Sequence, residues 1–210
     1  MRLQSLQQII QAVEALARPE RMTVFGSAAL LAQNPELGER GNVLEKTLDV
    51  VVVLEPSDEG KVAVADEAVG ENSLFHREYG CYADLVKPDI TETFPDGWEK
   101  RCLPLAGSKR VRCLHPLDVA MIKLVLGRDK DMALLEGLIR SGVFSLADLR
   151  AAYQRTPMNE RDLFAAGRAL RRLERECGYD SGPSADAPRV VRETRASFKA
   201  GKRKGKKARR

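Results

Sequence analysis

No apolar run in these 210 residues approaches the ~20 that a membrane-spanning helix requires, so no membrane span is expected. The N-terminal stretch MRLQSLQQIIQAVEALARPE also lacks a signal peptide's continuous apolar centre and small-residue cleavage site. Its Leu3, Leu6, Ile9, Ile10, Val13 and Leu16 recur three and four apart, which describes an amphipathic helix and predicts a cytoplasmic protein. The four cysteines, Cys81, Cys102, Cys113 and Cys177, form no C-x-x-C pair, so neither a zinc site nor a disulfide framework is expected. Only two histidines occur, His76 and His115, and neither has a second ligand at regular spacing. Both read as structural or solvent-exposed residues. No internal repeat is present.

Acidic residues are nearly absent from the C-terminal end. Between Arg192 and Arg210, ten Lys or Arg face Glu193 alone, a net +9 within an overall +5, which leaves −4 for residues 1–191. The segment FKAGKRKGKKARR has almost nothing to bury and repels itself, so a disordered basic tail is expected. Its Lys202, Arg203, Lys204, Lys206, Lys207, Arg209 and Arg210 suit RNA or DNA through sequence-blind counterion release. With Phe198 the only aromatic among these charges, a merely solubilising arm is an equal reading.

What the chain does have is a valine strand. TLDVVVVLEP, from Thr47 to Pro56, carries Asp49 ahead of four valines and a leucine, the pattern of a central strand covered on both faces. Before it, RMTVF reads as a short strand that turns at once into a helix at GSAALLAQ, and NPELGERGN as a polar loop. After it come a helix ending at Gly80, a strand at CYADLV, and a hairpin whose strands, near EKRCLPLA and KRVRCLH, flank Gly107-Ser108. From Pro116 the pattern is helical. PLDVAMIKLVLGRDKDMALLEGLIRSG reads as a helix capped by Asp118 with Gly127 in its middle, SLADLRAAYQRT opens on the capping box Ser145-x-x-Asp148, and NERDLFAAGRALRRLEREC ends at Gly178. DSGPSADAP is a linker by composition. The expected architecture is an α/β (α+β) core at 1–115, a small mixed sheet flanked by helices; a helical subdomain at 116–178; and a linker with basic tail at 179–210.

Two pieces carry chemistry together. A strand that ends in Gly26-Ser27 and runs into a helix offers backbone N–H groups to a phosphate, with Gly26 permitting close approach and Ser27 adding a hydroxyl. Some twenty residues later, Asp49 heads a strand on which acids at alternate positions would share one face, as divalent-metal binding beside a triphosphate requires. With FGSAALL, TLDVV, GWEKR and PLDVAMIKLVLGRDKD in these places, residues 5–155 resemble the nucleotidyltransferase fold of the DNA polymerase beta superfamily, and more closely the AbiEii-type toxin nucleotidyltransferases. Lys123, Arg128, Lys130 and Asp131 match that family's K-L-x-x-x-R-x-K-D pattern.

The resemblance implies Mg²⁺-dependent transfer of a nucleotide from an NTP to an RNA, protein or small-molecule acceptor, within a toxin–antitoxin or defence system that includes a cognate antitoxin or regulator. It assigns Gly26, Ser27, Lys123 and Lys130 to the nucleotide, and Asp49 and Asp84 to catalysis and metal binding. The chain departs from the pattern at one position: the second carboxylate of T-x-D-h-D is replaced by Val51. Glu55 shares the parity of Asp49 but lies about 20 Å along the strand, and Glu45 precedes the strand. A degenerate relative that binds a nucleotide, nucleic acid or protein without transferring anything is therefore the alternative. Asp49 can equally be a satisfied strand-end residue, Asp84 is more simply an exposed strand residue, Gly26 and Ser27 can be a turn and N-cap only, and Lys123 and Lys130 a structural anchor.

Overall fold

The computed structural model describes residues 1–178, so the linker and basic tail expected over 179–210 lie outside the described residues. The N-terminal periodicity becomes α1 (Leu3–Ala17), which buries Leu6, Ile9, Ile10 and Val13. It leads into β1 (Arg21–Phe25), and the valine run forms β2 (Asp49–Glu55). The region expected as one helix before Gly80 divides into α2 (Glu59–Val69), capped by Asp58, and α3 (Leu74–Tyr79), capped by Ser73. β3 (Tyr82–Val86) comes next, and GWEKR forms the short α4 (Trp98–Arg101). The hairpin exists as β4 (Leu103–Pro104) against β5 (Val111–Cys113), its first strand only two residues long.

The five strands make one mixed sheet in the order β3-β2-β1-β5-β4. β1 runs antiparallel to β2 and parallel to β5, while β3 is parallel to β2. The valine strand is thus internal, as its composition demands. Register sorts the side chains onto two faces. Met22, Val24, Val50, Val52, Leu54, Ala83, Val111 and Cys113 form a buried face, and α1 and α2 pack on each other and on β3. The other face carries Thr23, Phe25, Asp49, Val51, Glu55, Tyr82, Asp84 and Arg112. Phe94 covers Phe25 edge-on with ring centroids 4.9 Å apart, and Trp98 lies 4.6 Å below the Arg112 guanidinium. Glu55 is held there by Arg112, at 3.0 Å, and does not reach towards Asp49.

The helical region departs from the sequence reading twice. The stretch from Pro116 is two helices, α5 (Pro116–Leu126) and α6 (Asp129–Arg140), because Gly127 adopts φ 57° and ψ 22° and ends α5. A left-handed residue cannot continue a right-handed helix, and glycine takes that conformation at least cost. Asp118 does not cap α5. His115 does, its Nδ1 accepting from the Leu117 N–H, while Asp118 is buried and accepts from both Nε and Nη2 of Arg101 at 2.9 and 2.8 Å. α7 (Leu146–Arg155) begins with the expected Ser145–Asp148 capping box, and α8 (Glu160–Glu176) closes the described chain.

Candidate functional site

Where β1 leaves the sheet, Gly26 takes φ 73°. A side chain there would be strained by the backbone angle and would also stand 3.3 Å from a Val51 methyl. Gly26 is therefore fixed by geometry, and position 51 faces the turn. The chain then winds into a six-residue 3-10 helix, Ser27–Ala32, in place of the expected α-helix. Its apolar residues Ala28, Ala29, Leu30 and Leu31 are buried, so core packing dictates the tight coil.

Beside this turn opens a cavity of about 440 Å³, a volume that suits a nucleotide-sized ligand. Gly26, Ser27, Asp49, Lys123 and Lys130, five of the six core residues singled out from sequence, line it together. Asp84 is not in the lining. It lies beside Val51 in the β2–β3 register, on the same sheet face as Asp49 and two residues further along, roughly 8 Å away from strand rise and spacing. The wall is completed by Lys46, Thr47, Leu48, Tyr82, Arg128 and Asp131, among others. Arg128 and Asp131 were legible in the K-L-x-x-x-R-x-K-D pattern. Lys46 carried no signal, since nothing in the sequence ahead of β2 tells which residue turns towards the end of the sheet.

The bend at Gly127 sets the electrostatics. It brings the start of α6 back beside Lys123, whose ammonium lies 3.2 Å from Asp131 Oδ1, while the Arg128 guanidinium grips both Asp131 oxygens, with Nη2 at 3.1 Å. Asp131 is 1% exposed. Burial, the strongest single influence, acts to raise its carboxyl pKa. The hydrogen bonds and charges of Arg128 and Lys123 together outweigh it and hold the group below the ordinary carboxylate value. Arg128 is in turn kept more firmly protonated, first by its hydrogen bond to Asp131, with the charge of Asp49 acting in the same direction. The Asp49 side chain is exposed and makes no hydrogen bond or ion pair among the described residues, and the same holds for the side chains of Lys46 and Lys130. The cavity thus presents four cations against two carboxylates, one of them already committed to a buried triad.

A pair of divalent ions needs several oxygen ligands converging from two or three carboxylates. The donor set here does not fit that need. Asp131 is occupied, Asp49 is the one uncommitted acid in the lining, and position 51 presents methyl groups to the Gly26 turn. Among the described residues no group of three or more His, Cys, Asp or Glu is placed to hold a metal. No helix of the described chain is long and apolar enough to cross a membrane.

The family model described as "Nucleotidyltransferase of unknown function (DUF6036)" matches residues 1–165, a span that includes every residue of this cavity. No curated protein and no solved structure matches the chain. With four fifths of its length matched, the chain belongs to this family of nucleotidyltransferases of unknown function.

Proposed function

We propose that the cavity binds a nucleoside triphosphate and that the chain is a catalytically degenerate member of its family, holding the nucleotide without transferring it. The phosphates lie against Gly26 and Ser27 and are neutralised by Lys46, Lys123, Arg128 and Lys130. The observation that carries this reading is the aliphatic side chain of Val51 facing the Gly26 turn, while cations, not carboxylates, dominate the cavity. In two-ion phosphoryl transfer the metals neutralise and position the phosphates; in this cavity side-chain cations take over the neutralising role. Binding is accordingly expected to survive chelation of divalent ions.

A second reading rests on Asp84, which shares the sheet face of Asp49. In that reading Asp49 and Asp84 serve Mg²⁺-dependent transfer to an RNA, protein or small-molecule acceptor, in a toxin–antitoxin or defence setting with a cognate antitoxin. Calorimetric titration with each NTP, with Mg²⁺ and with EDTA, tests the first part. Binding that persists in EDTA and weakens about tenfold in Lys130→Ala, as loss of a charged hydrogen bond implies, supports it; no binding under either condition refutes it. Labelled NTPs incubated with Mg²⁺ or Mn²⁺ and total RNA test the second. Transfer by the native chain that disappears in Asp49→Ala refutes degeneracy, whereas transfer that appears only in Val51→Asp establishes it.

A further inference from the structure

α8 presents a row of arginines on its outer face. Arg161, Phe164, Arg168, Arg171 and Arg175 recur in steps of 3, 4, 3 and 4, which at ~100° per residue keeps all five within an arc of about 80°. All are exposed, Phe164 by 66%. The opposite face buries Ala166, Gly167, Ala169, Leu170 and Leu173, so the helix is firmly docked and the arginine face is uncovered among the described residues. Carboxylates flank the row without entering it. On one edge Arg172 holds Glu176 at 2.7 Å and Asp129 at 2.8 Å, and on the other stands Glu160. Glu174 is turned inward to Arg150 at 2.6 Å, and Asp162 lies on the inner side. None of the four arginines makes an ion pair among the described residues.

Like charges at this spacing repel and destabilise a helix, and no carboxylate within the row offsets that cost. Within that row stands a phenyl ring, flanked by guanidinium groups and exposed to water. Charge complementarity points to a polyanion, and the ring points to one that offers an unpaired planar base, which a duplex does not. The row spans about 21 Å from Arg161 to Arg175, room for about four nucleotides, at the lower end of single-strand site sizes. Three of its five residues, Arg168, Arg171 and Arg175, lie beyond the matched residues 1–165. We infer that the outer face of α8 binds single-stranded nucleic acid, with the arginines on successive phosphates and Phe164 stacked on a base. This inference is independent of the cavity and of its nucleotide.

The test is fluorescence anisotropy of the full chain with a fluorescein-labelled single-stranded RNA 12-mer and a duplex of equal length, over a series of salt concentrations. Phe164→Ala is expected to weaken single-strand binding about tenfold while leaving duplex binding unchanged, and Phe164→Trp to restore it. Arg168→Ala with Arg171→Ala is expected to weaken binding and reduce the steepness of its salt dependence by about 1.4, from ~0.7 for each phosphate no longer neutralised. Single-strand binding and a salt slope that are unchanged in both variants would overturn the inference and assign the binding to the basic tail. Equal loss of single-strand and duplex binding in Phe164→Ala would also overturn it. So would binding to phosphatidylserine vesicles that depends on these residues while RNA binding does not. Every substituted side chain is exposed, and unchanged melting temperatures confirm that a loss is not unfolding.

Discussion

Replacing Asp131 by Asn is the most direct probe of how the cavity is built. The carboxylate is 1% exposed and pairs with Lys123, itself only 12% exposed, and with Arg128, which is 43% exposed. Removing one partner of a buried pair costs about 3–5 kcal/mol because the remaining charge is stranded. Arg128 can return to water but Lys123 cannot, so the lower end, about 3 kcal/mol, applies. For a chain of this size that is a drop in Tm of roughly 6–12 °C. The pH dependence arises from the same contacts. The folded-state pKa lies below the ordinary value of 3.8, so the stabilisation is fully present above about pH 4 and is lost as pH falls through the folded pKa. Asp131→Asn is therefore expected to flatten the acid limb of the stability profile, and Lys123→Met added to it to recover part of the loss. Binding and stability move in opposite directions, because freeing Lys123 and Arg128 leaves more positive charge in the cavity and tightens triphosphate binding. Urea denaturation between pH 2.5 and 8, with parallel titrations of ATP, reads both. An unchanged Tm, or weaker ATP binding at unchanged fold, refutes the buried-triad argument.

Two further perturbations test the joints around the cavity. His115 caps α5 through a neutral Nδ1, and burial lowers its pKa, so its contribution is present above its ordinary value of 6.5 and is lost as pH falls through the lower folded value. His115→Asn keeps a cap acceptor that does not titrate and is expected to hold about 1 kcal/mol more stability than the native chain once the native imidazole is charged, as urea midpoints at pH 4.5 and 8 would record. Gly127→Ala forces a Cβ into a left-handed residue and is expected to cost about 1–2 kcal/mol. If thermal melting shows no loss, the bend between α5 and α6 is not dictated by that residue.

The residues that most clearly announced themselves did so through local physics. Four consecutive valines require a strand covered on both sides, and β2 is internal to the sheet. The three-and-four spacing of Leu6, Ile9, Ile10 and Val13 requires a helix with one buried face, and α1 buries those residues. The Ser145–Asp148 box closes within one turn and needs nothing else from the fold. Helix against bend at Gly127, and cap against buried ion pair at Asp118, were not decidable in this way. Each depends on a partner that is distant in sequence, as Arg101 is from Asp118, or on a backbone angle that the local pattern does not specify.

By itself, then, the sequence determined the α/β core with its valine strand, the amphipathic helices and the Gly26-Ser27 turn. All of these come from side-chain periodicity and turn chemistry, which act over a few residues, whereas the reading of Val51 as a replaced carboxylate came from the resemblance alone. Only the tertiary structure decided that Lys123 and Asp131 meet. In a continuous helix their eight-residue separation would place them about 12 Å apart along the axis, whereas the bend at Gly127 closes them to 3.2 Å. The convergence of Lys123, Arg128 and Lys130 with Lys46 ahead of β2 makes the cavity cationic even though Asp131 offsets one of those charges, because charge at a site is summed over residues that only folding brings together.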